Sequence, residues 1–188
     1  MKAVSLLSGG LDSQLAVCLV KRQGIEVVGV NFISPFFGGS RNLADAADQL
    51  GIELKTIDIS EEYMDVLKNP RYGYGKNMNP CIDCHAFMIR KAGEYMREIG
   101  GSFIITGEVL GQRPMSQNKS ALAAVEKLSG LRGLILRPLS AKLLPPTIPE
   151  ENGWVDREQL LDISGRSRVR QMQLAEELGI SEYPSPAG

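Results

Sequence analysis

The residues of this sequence best suited to chemistry lie in one short turn: Ser8, Gly9, Gly10, Asp12 and Ser13. The turn follows an apolar run at residues 3–7 and precedes an apolar segment that begins at Leu11, which predicts a strand, a tight turn and a helix. Glycine lets the backbone approach an anion, and a helix N-terminus adds about half a positive charge. Serine hydroxyls can donate to phosphate oxygens, and a carboxylate beside them can hold a divalent metal. The turn therefore predicts a phosphate cradle with Asp12 as a Mg²⁺ ligand.

Strands and helices alternate on both sides of this turn. Strands are predicted at residues 3–7, 25–33, 53–59, 102–106 and 134–136. Helices are predicted at residues 11–23, 41–50, 82–99 and 116–128, with a shorter one beginning at Ser60. Repeated units of this length imply an α/β fold with a parallel sheet covered on both faces. Residues 69–80 lack periodicity and predict a mobile loop.

The ends of three strands should meet at one edge of that sheet, because parallel sheets bind ligands at their carboxyl ends. Asn31 and Phe32 lie at the end of the second strand, where an adenine would fit against the backbone. Gly107 and Glu108 follow the fourth strand, and Gln112 lies one helical turn beyond Glu108. Together with the cradle these residues predict a nucleotide pocket.

Four ordered motifs resemble those of known enzymes. The S-G-G-x-D-S turn resembles the signature of the PP-loop ATP pyrophosphatases, which cleave ATP between the α and β phosphates. The segment T-G-E-V-L-G-Q at residues 106–112 and L-R-P-L at residues 136–139 are similar to segments of tRNA 4-thiouridine synthases. The segment N-P-C-I-D-C at residues 79–84 looks like the N-P-x-x-x-C segment of tRNA 2-thiouridylases. The sequence departs from these families in lacking the RNA-binding domain that precedes the 4-thiouridine synthase motif, and in having Glu108 where 2-thiouridylases usually have His.

The resemblance implies a three-layer, adenine nucleotide α-hydrolase-like PP-loop domain at residues 1–144, followed by a connector and helical extension at residues 145–188. It implies an ATP-dependent tRNA sulfurtransferase that adenylates a uridine carbonyl, releases pyrophosphate and replaces AMP with sulfur. The implied cofactors are ATP and Mg²⁺. The residues expected to bind ATP are Leu7, Ser8, Gly9, Gly10, Asp12, Ser13, Asn31, Phe32, Gly107, Glu108 and Gln112.

Two cysteines could handle sulfur. Cys84 is predicted in the first turn of a helix, where the helix N-terminus favours the thiolate, and Cys81 lies one turn earlier. The pair suits catalysis, a [4Fe–4S] cluster, zinc or a purely structural role. Two thiolates are too few for a closed zinc site, and a [4Fe–4S] cluster needs three or four protein ligands. Similar enzymes usually carry another cysteine just beyond the position where this sequence stops. Cys18 lies on the apolar face of the first helix and is expected to fill core.

The densest basic stretch contains the candidate RNA-binding residues Arg166, Arg168 and Arg170. Their spacing scatters them around a predicted helix at residues 166–178, which suits either a solvated face or contacts with tRNA phosphates. Arg71, Tyr72, Tyr74 and Lys76 of the predicted loop are further candidates for RNA contact. His85 should point about 100° away from Cys84 on a helix, which indicates a solvated neighbour.

Bulk properties limit the partners. The 188 residues carry a net charge of −1, so any nucleic-acid contact must be a local patch. No apolar run approaches the ~18 residues that cross a bilayer, and no leader precedes the first strand, so we expect a cytoplasmic protein without a membrane partner. The expected partners are tRNA and a sulfur donor, either a persulfide protein or sulfide, and a homodimer is a further candidate. Trp154 is expected to anchor the extension, which should run extended at residues 145–149 and contain a helix at residues 156–162.

Two other function classes suit the same residues. A PP-loop ligase could act on a small-molecule base or acid with ammonia or sulfide, although such enzymes carry a compact motif of three or four zinc-binding cysteines that this sequence lacks. A degenerate subunit or cysteine-based metal-binding module could have lost turnover. The intact Asp12 and the two cradle serines argue against that class.

Overall fold

A parallel sheet whose central strand leads into the glycine turn organises the molecule. In this computed structural model, residues 1–34, 43–68, 81–113 and 116–183 are described, without the side chains of residues 66, 67 and 81. The strands are β1 (Lys2–Leu6), β2 (Glu26–Ile33), β3 (Glu53–Asp58), β4 (Phe103–Ile105) and β5 (Ile135–Leu136). The sheet order is β3-β2-β1-β4-β5, and every neighbouring pair is parallel. The predicted parallel sheet is therefore confirmed.

Seven helices of the described part cover or extend this sheet. They are α1 (Leu11–Lys21), α2 (Leu43–Leu50), α3 (Ser60–Lys68), α4 (Cys81–Glu98), α5 (Lys119–Ser129), α6 (Ile148–Glu151) and α7 (Val169–Leu178). The helix and strand boundaries up to β5 agree with the sequence prediction to within about three residues, apart from the start of α2, because the residues before Leu43 are not described. The predicted mobile loop, with Arg71, Tyr72, Tyr74 and Lys76, also lies outside the described residues.

The two sheet faces bury separate apolar clusters. On one face, Ala3 and Phe103 pack with side chains of α1 and α2. On the other face, Val4 and Ile104 pack with side chains of α3, α4 and α5. Alternate residues of one strand thus enter opposite layers, as the strand period of two requires. The result is the three-layer α/β fold that the sequence predicts.

The chain order creates a switch point at β1. From β1 the chain passes outward through β2 to β3, then returns to place β4 on the opposite side of β1. The loops after β2 and β4 therefore leave the sheet on either side of the loop after β1. Such switch points are where open α/β sheets bind ligands.

The C-terminal extension differs from its prediction in three places. The expected extended connector contains the start of α6, which Thr147 and Glu150 initiate with a capping box. The expected helix at residues 156–162 is only a 3-10 turn at Arg157–Gln159, because the following amides of Leu161 and Ile163 bond to the carbonyls of Pro138 and Leu139. These tertiary bonds satisfy the backbone without a helix.

The third difference concerns the last helix. Helix α7 begins at Val169, so Arg166 and Arg168 precede it instead of lying on its surface. Gly165 adopts a φ of 85°, a left-handed conformation that interrupts the helical path. Leu11, Leu15 and Leu19 of α1 share a cluster with Ala175 and Ile180, so the end of the extension covers α1 directly. The division of the chain at residue 144 stays a prediction.

Trp154 links the extension to the sheet. Its ring stacks on Phe103 with a centroid distance of 6.4 Å, and the side chain joins the cluster that contains Val155 and Leu160. In α4, Ala92 and Met96 are buried, and Met88, Tyr95 and Ile99 pack against the same layer, so residues at helical spacing form the core-facing stripe of this helix. Within the described residues, no helix combines the length and apolarity needed to cross a bilayer.

We expect Trp154→Ala to lower the free energy of unfolding by about 2–3 kcal/mol, because truncation leaves a cavity beside Phe103. The loss should not be larger, since the Trp154 side chain is only half-buried. Urea denaturation measures the loss. Met172→Ala, at a side chain that is 45% exposed on α7, is the control and should change stability little. Equal effects of the two substitutions would contradict the anchoring role of Trp154.

Candidate active site

The turn after β1 forms a small hydrogen-bonded cradle. Gly9 has a φ of 84°, which an L side chain rarely adopts. The Ser13 hydroxyl donates to the Gly10 carbonyl at 3.0 Å, and the Gly10 amide donates to the Ser8 hydroxyl oxygen at 3.3 Å. The two serine hydroxyl oxygens are 3.3 Å apart. The N-terminus of α1 begins directly behind this turn, so its amides and dipole favour an anion there.

A cavity of about 680 Å³ opens above the cradle at the switch point. It brings together ten of the residues that the sequence nominated for ATP: Leu7, Ser8, Gly10, Asp12, Ser13, Asn31, Phe32, Gly107, Glu108 and Gln112. It also contains residues outside that set: Leu6, Leu11, Val30, His85, Met88, Thr106, Arg113, Gln117 and Arg168. The cavity volume and its largely apolar wall, with a few polar groups that converge on the cradle, suit a nucleotide.

Gly107 fixes the distance between the loop after β4 and the cradle. A Cβ at this position would lie 2.6 Å from the Ser13 amide nitrogen and 2.7 Å from the Asp12 carbonyl carbon. These are backbone atoms, which cannot move aside as a side chain could. Glycine at this position therefore keeps the end of β4 in direct contact with the first turn of α1.

Asp12 faces a cation contributed by the extension. Its Oδ1 is 3.3 Å from a terminal guanidinium nitrogen of Arg168. Burial raises the pKa of Asp12, and the charge of Arg168 offsets part of that rise. The side-chain amides of Gln112 and Gln171 also lie near the carboxylate and lower its pKa, although neither amide nitrogen completes a hydrogen bond among the described residues. Asp12 is thus a carboxylate surrounded by donors.

Several buried polar atoms beside Asp12 lack protein partners within the described part of the chain: Gln112 Nε2, Arg168 Nε, and both amide atoms of Gln171. Buried donors left unpaired cost about 1–3 kcal/mol each, so a group with oxygen atoms or ordered water is expected among them. This donor set suits phosphate. Mg²⁺ is usually held by one or two carboxylates together with phosphates and water, and Asp12 supplies one such carboxylate.

A buried ion pair joins Glu108 in the cavity wall to Arg137 behind it. Glu108 Oε1 accepts from the Thr106 hydroxyl at 3.0 Å and from Arg137 Nε at 3.3 Å. Glu108 and Arg137 are only 6% and 5% exposed. Burial alone would raise the pKa of Glu108, but the charges of Arg137 and His85 and the two hydrogen bonds hold it below its ordinary value. Glu108 is therefore an ionised carboxylate in the wall of the cavity.

Cys84 lies beside the cavity without being part of its described wall. Its thiol donates to the Tyr63 hydroxyl oxygen at 3.3 Å, and it packs in the cluster on the α4 side of the sheet. Cys81 begins α4, but its side chain lies outside the described residues. The neighbouring His85 is half-buried and lines the cavity.

The three cysteines do not fit a [4Fe–4S] cluster. Cys18 is a half-buried free thiol of α1, on the sheet face opposite α4, and burial raises its pKa, in line with the predicted packing role. At most Cys81 and Cys84 can therefore meet, fewer than the three ligands that such a cluster needs. Among the described residues, no three His, Cys, Asp or Glu side chains form a metal-binding group.

The three candidate RNA-binding arginines do not form one surface. Arg168 enters the cavity and contacts Asp12. Arg170 pairs with Asp162 at 2.8 Å on the surface, and Arg166 is exposed. The position of Arg168 could not be read from the sequence, because it depends on how the extension folds back over α1. His85 could have been found, since it lies three residues from Met88 on one face of α4.

Comparison with known proteins agrees with this geometry. Residues 1–142 match the profile of the family described as "Thiamine biosynthesis protein (ThiI)". The chain belongs to the ThiI family. The matched residues include all of the sheet and the cradle, and stop before α6.

Curated proteins similar in sequence to this chain include tRNA-thiolating enzymes. The chain is 34% identical over 140 residues to tRNA-specific 2-thiouridylase MnmA of Proteus mirabilis, covering 66% of this chain and 38% of the relative. It is 28% identical over 193 residues to MnmA of Methylobacillus flagellatus, covering 95% of this chain and 53% of the relative. The chain thus spans about half or less of the length of these two curated relatives.

A solved structure shares the fold of this ThiI-family chain. It is a 4-thiouridine synthetase in complex with RNA and bound ATP, with a TM-score of 0.62 and 23% sequence identity. The match covers 95% of this chain and 51% of that one. This similarity shows the PP-loop fold, including the extension beyond residue 142.

The raised pKa of Asp12 has a consequence for stability. The unfolded carboxyl loses its proton near its ordinary value of 3.8, whereas the folded carboxyl holds it to higher pH, so stability falls as pH rises through that interval. Asp12→Asn removes the carboxyl group, and with it the loss of stability that comes from ionising a buried group. We expect the variant to gain stability relative to the native protein as pH rises to neutrality, measured by urea denaturation across pH.

Asp162→Asn is the matched control for this measurement. Arg170 lowers the pKa of Asp162, so its charged form stabilises the fold above the ordinary carboxyl pKa and the substitution should remove that gain. The two variants are therefore expected to shift stability in opposite directions at neutral pH. A native protein that is more stable than Asp12→Asn at pH 7 would contradict the burial of Asp12 that raises its pKa.

Proposed function

We propose that the protein is an ATP-dependent tRNA sulfurtransferase, which adenylates a uridine carbonyl oxygen and then replaces that oxygen with sulfur. The observation that carries the proposal is the glycine cradle at the switch point, with Asp12 and unpaired buried donors beside it. Family membership and the named activity of the MnmA relatives support the same reaction class. The 4-thiouridine synthetase of similar fold was solved with RNA and ATP.

The cradle would bind the phosphates of ATP. The Ser8 and Ser13 hydroxyls, the Gly9 and Gly10 backbone and the start of α1 would surround them. Mg²⁺, held by Asp12 and phosphate oxygens, would neutralise charge that develops on the phosphates. Arg168 would exchange its contact with Asp12 for a phosphate contact when the metal binds, because a guanidinium suits phosphate as well as carboxylate.

The adenosine would lie on the β2 side of the cradle. Asn31 and Phe32 end β2 at the cavity, and Phe32 is buried there. Leu7 supplies apolar surface at the end of β1. Gly107 supports the cradle from the β4 side, and Gln112 offers its unpaired amide near Asp12.

The reaction proceeds in two displacements. The uridine carbonyl oxygen attacks the α-phosphorus, the bond to the bridging oxygen of the β-phosphate breaks, and pyrophosphate leaves with the electron pair. Uracil N3 loses its proton as the carbonyl becomes a single bond. A sulfur nucleophile then attacks the carbon, AMP leaves, and N3 regains a proton. Hydrosulfide needs no further reactant, whereas a persulfide needs a second thiol to release its carrier.

The remaining partners follow from this chemistry. Sulfide or a persulfide protein would supply sulfur, with Cys84 and Cys81 as the candidate acceptors. A reducing cytoplasm would keep such cysteines as thiols. Exposed Arg166 and Arg170 would contact tRNA phosphates, with Arg170 released from Asp162. A homodimer could present two such surfaces to one tRNA.

The direct test combines ATP, Mg²⁺, sulfide and unmodified tRNA with the protein under anaerobic conditions. We expect AMP and pyrophosphate to form only when tRNA is present, with thiouridine detected by mass spectrometry. Asp12→Ala should lower AMP formation at least about a hundredfold, the scale of losing a group that stabilises transition-state charge. AMP formation with small organic acids and no RNA would contradict the proposal and favour a small-molecule ligase.

Cys84→Ser separates the two displacements. Because pyrophosphate leaves in the first displacement and sulfur enters only in the second, we expect pyrophosphate release to persist and thiouridine formation to fall at least about tenfold with a persulfide donor. Cys18→Ala removes the thiol on the opposite sheet face and should leave thiolation unchanged. Undiminished thiolation by Cys84→Ser would exclude that thiol from sulfur transfer.

A further inference from the structure

One oxygen of Glu108 lacks a partner although the residue is buried. Oε1 accepts from both Thr106 and Arg137, whereas Oε2 has no hydrogen-bond partner among the described residues. The side chain is 6% exposed and borders the cavity. A buried carboxylate oxygen without a donor is costly, so a donor from a bound ligand is expected to complete this site.

The surroundings determine which chemistry can complete it. Arg137 also reaches the Leu122 carbonyl at 3.4 Å and Glu126 at 3.9 Å, so the guanidinium is held in place on the Oε1 side. With Arg137 fixed, Glu108 remains a carboxylate that only accepts hydrogen bonds. The matching ligand group must therefore be an N–H or O–H donor or a cation.

The sheet order indicates which substrate faces Glu108. β2 and β4 lie on opposite sides of β1. The proposed adenosine contacts Asn31 and Phe32 are on the β2 side, whereas Glu108 follows β4. The phosphates in the cradle lie between them. The group that attacks the α-phosphate lines up opposite the departing pyrophosphate. With the adenosine on the β2 side, the β4 side, where Glu108 lies, remains for that group.

We propose that Glu108 selects uracil by accepting a hydrogen bond from its N3–H, a role that rests on the proposed function and deepens it. N3 lies between the two carbonyl carbons of uracil, so the same contact serves thiolation at either carbon. Cytosine has no hydrogen on N3 and would present a lone pair to the carboxylate. The contact therefore distinguishes uridine from cytidine, and it adds electron density to the carbonyl oxygens that attack ATP.

The test measures base preference directly. The uridine that the native protein thiolates in unmodified tRNA is mapped by mass spectrometry, and transcripts are made with uridine or cytidine at that position. Their dissociation constants are measured with protein saturated by a non-hydrolysable ATP analogue. We expect the native protein to prefer the uridine transcript by about tenfold or more, the scale of one hydrogen bond to a charged group.

Glu108→Gln should abolish or reverse this preference, because an amide N–H can donate to cytosine N3. Its dissociation constant for the ATP analogue should stay within about twofold of the native value. Glu126→Gln removes the other carboxylate near Arg137, outside the cavity wall, and should keep the native preference. If unpaired Arg137 prevents Glu108→Gln from folding, the double substitution with Arg137→Met removes that charge and should show the same loss of preference.

Three results would overturn the inference. One is an unchanged uridine preference in a folded Glu108→Gln variant. Another is weaker binding of the ATP analogue with the preference intact, which would assign Glu108 to the adenosine. The third is a native protein that thiolates no uridine, which would remove the proposed function and this inference together. An unchanged preference with normal thiolation by the native protein would remove the inference alone.

Discussion

The backbone contact between Gly107 and the first turn of α1 is the constraint on which the site depends. It joins the end of β4 to the cradle with no space for a methyl group. Because β4 is hydrogen-bonded to β1, the contact sets the height of the cradle above the sheet. Groups on both sides of β1 can then face one ligand.

The second constraint is electrostatic and comes from two separate parts of the chain. Arg168 of the extension balances the negative charge of Asp12 at the N-terminus of α1. Arg137, behind the cavity wall, balances the negative charge of Glu108. The two carboxylates respond differently, since burial raises the pKa of Asp12 and the charges around Glu108 lower its pKa. Asp12 is therefore suited to exchange its partner for a metal, and Glu108 to remain a fixed acceptor.

The extension has more than a covering role. Its Trp154 packs on Phe103, its α7 packs on α1, and its Arg168 enters the cavity. The backbone carbonyl of Glu182 also accepts from the side chain of Gln14, beside the cradle. The profile of the ThiI family ends at residue 142, yet residues beyond it complete the donor set around Asp12.

The sequence by itself determined the sheet, the cradle and most of the cavity wall, because strand period, glycine turns and helix caps act over short distances. The positions of Ser8, Gly10, Asn31 and Glu108 relative to their strands were predictable for that reason. Tertiary structure alone decided that Arg168 meets Asp12. It also decided that residues 160–164 run beside residues 138–140 instead of forming a helix. These outcomes depend on contacts between segments far apart in the chain, which local patterns do not encode.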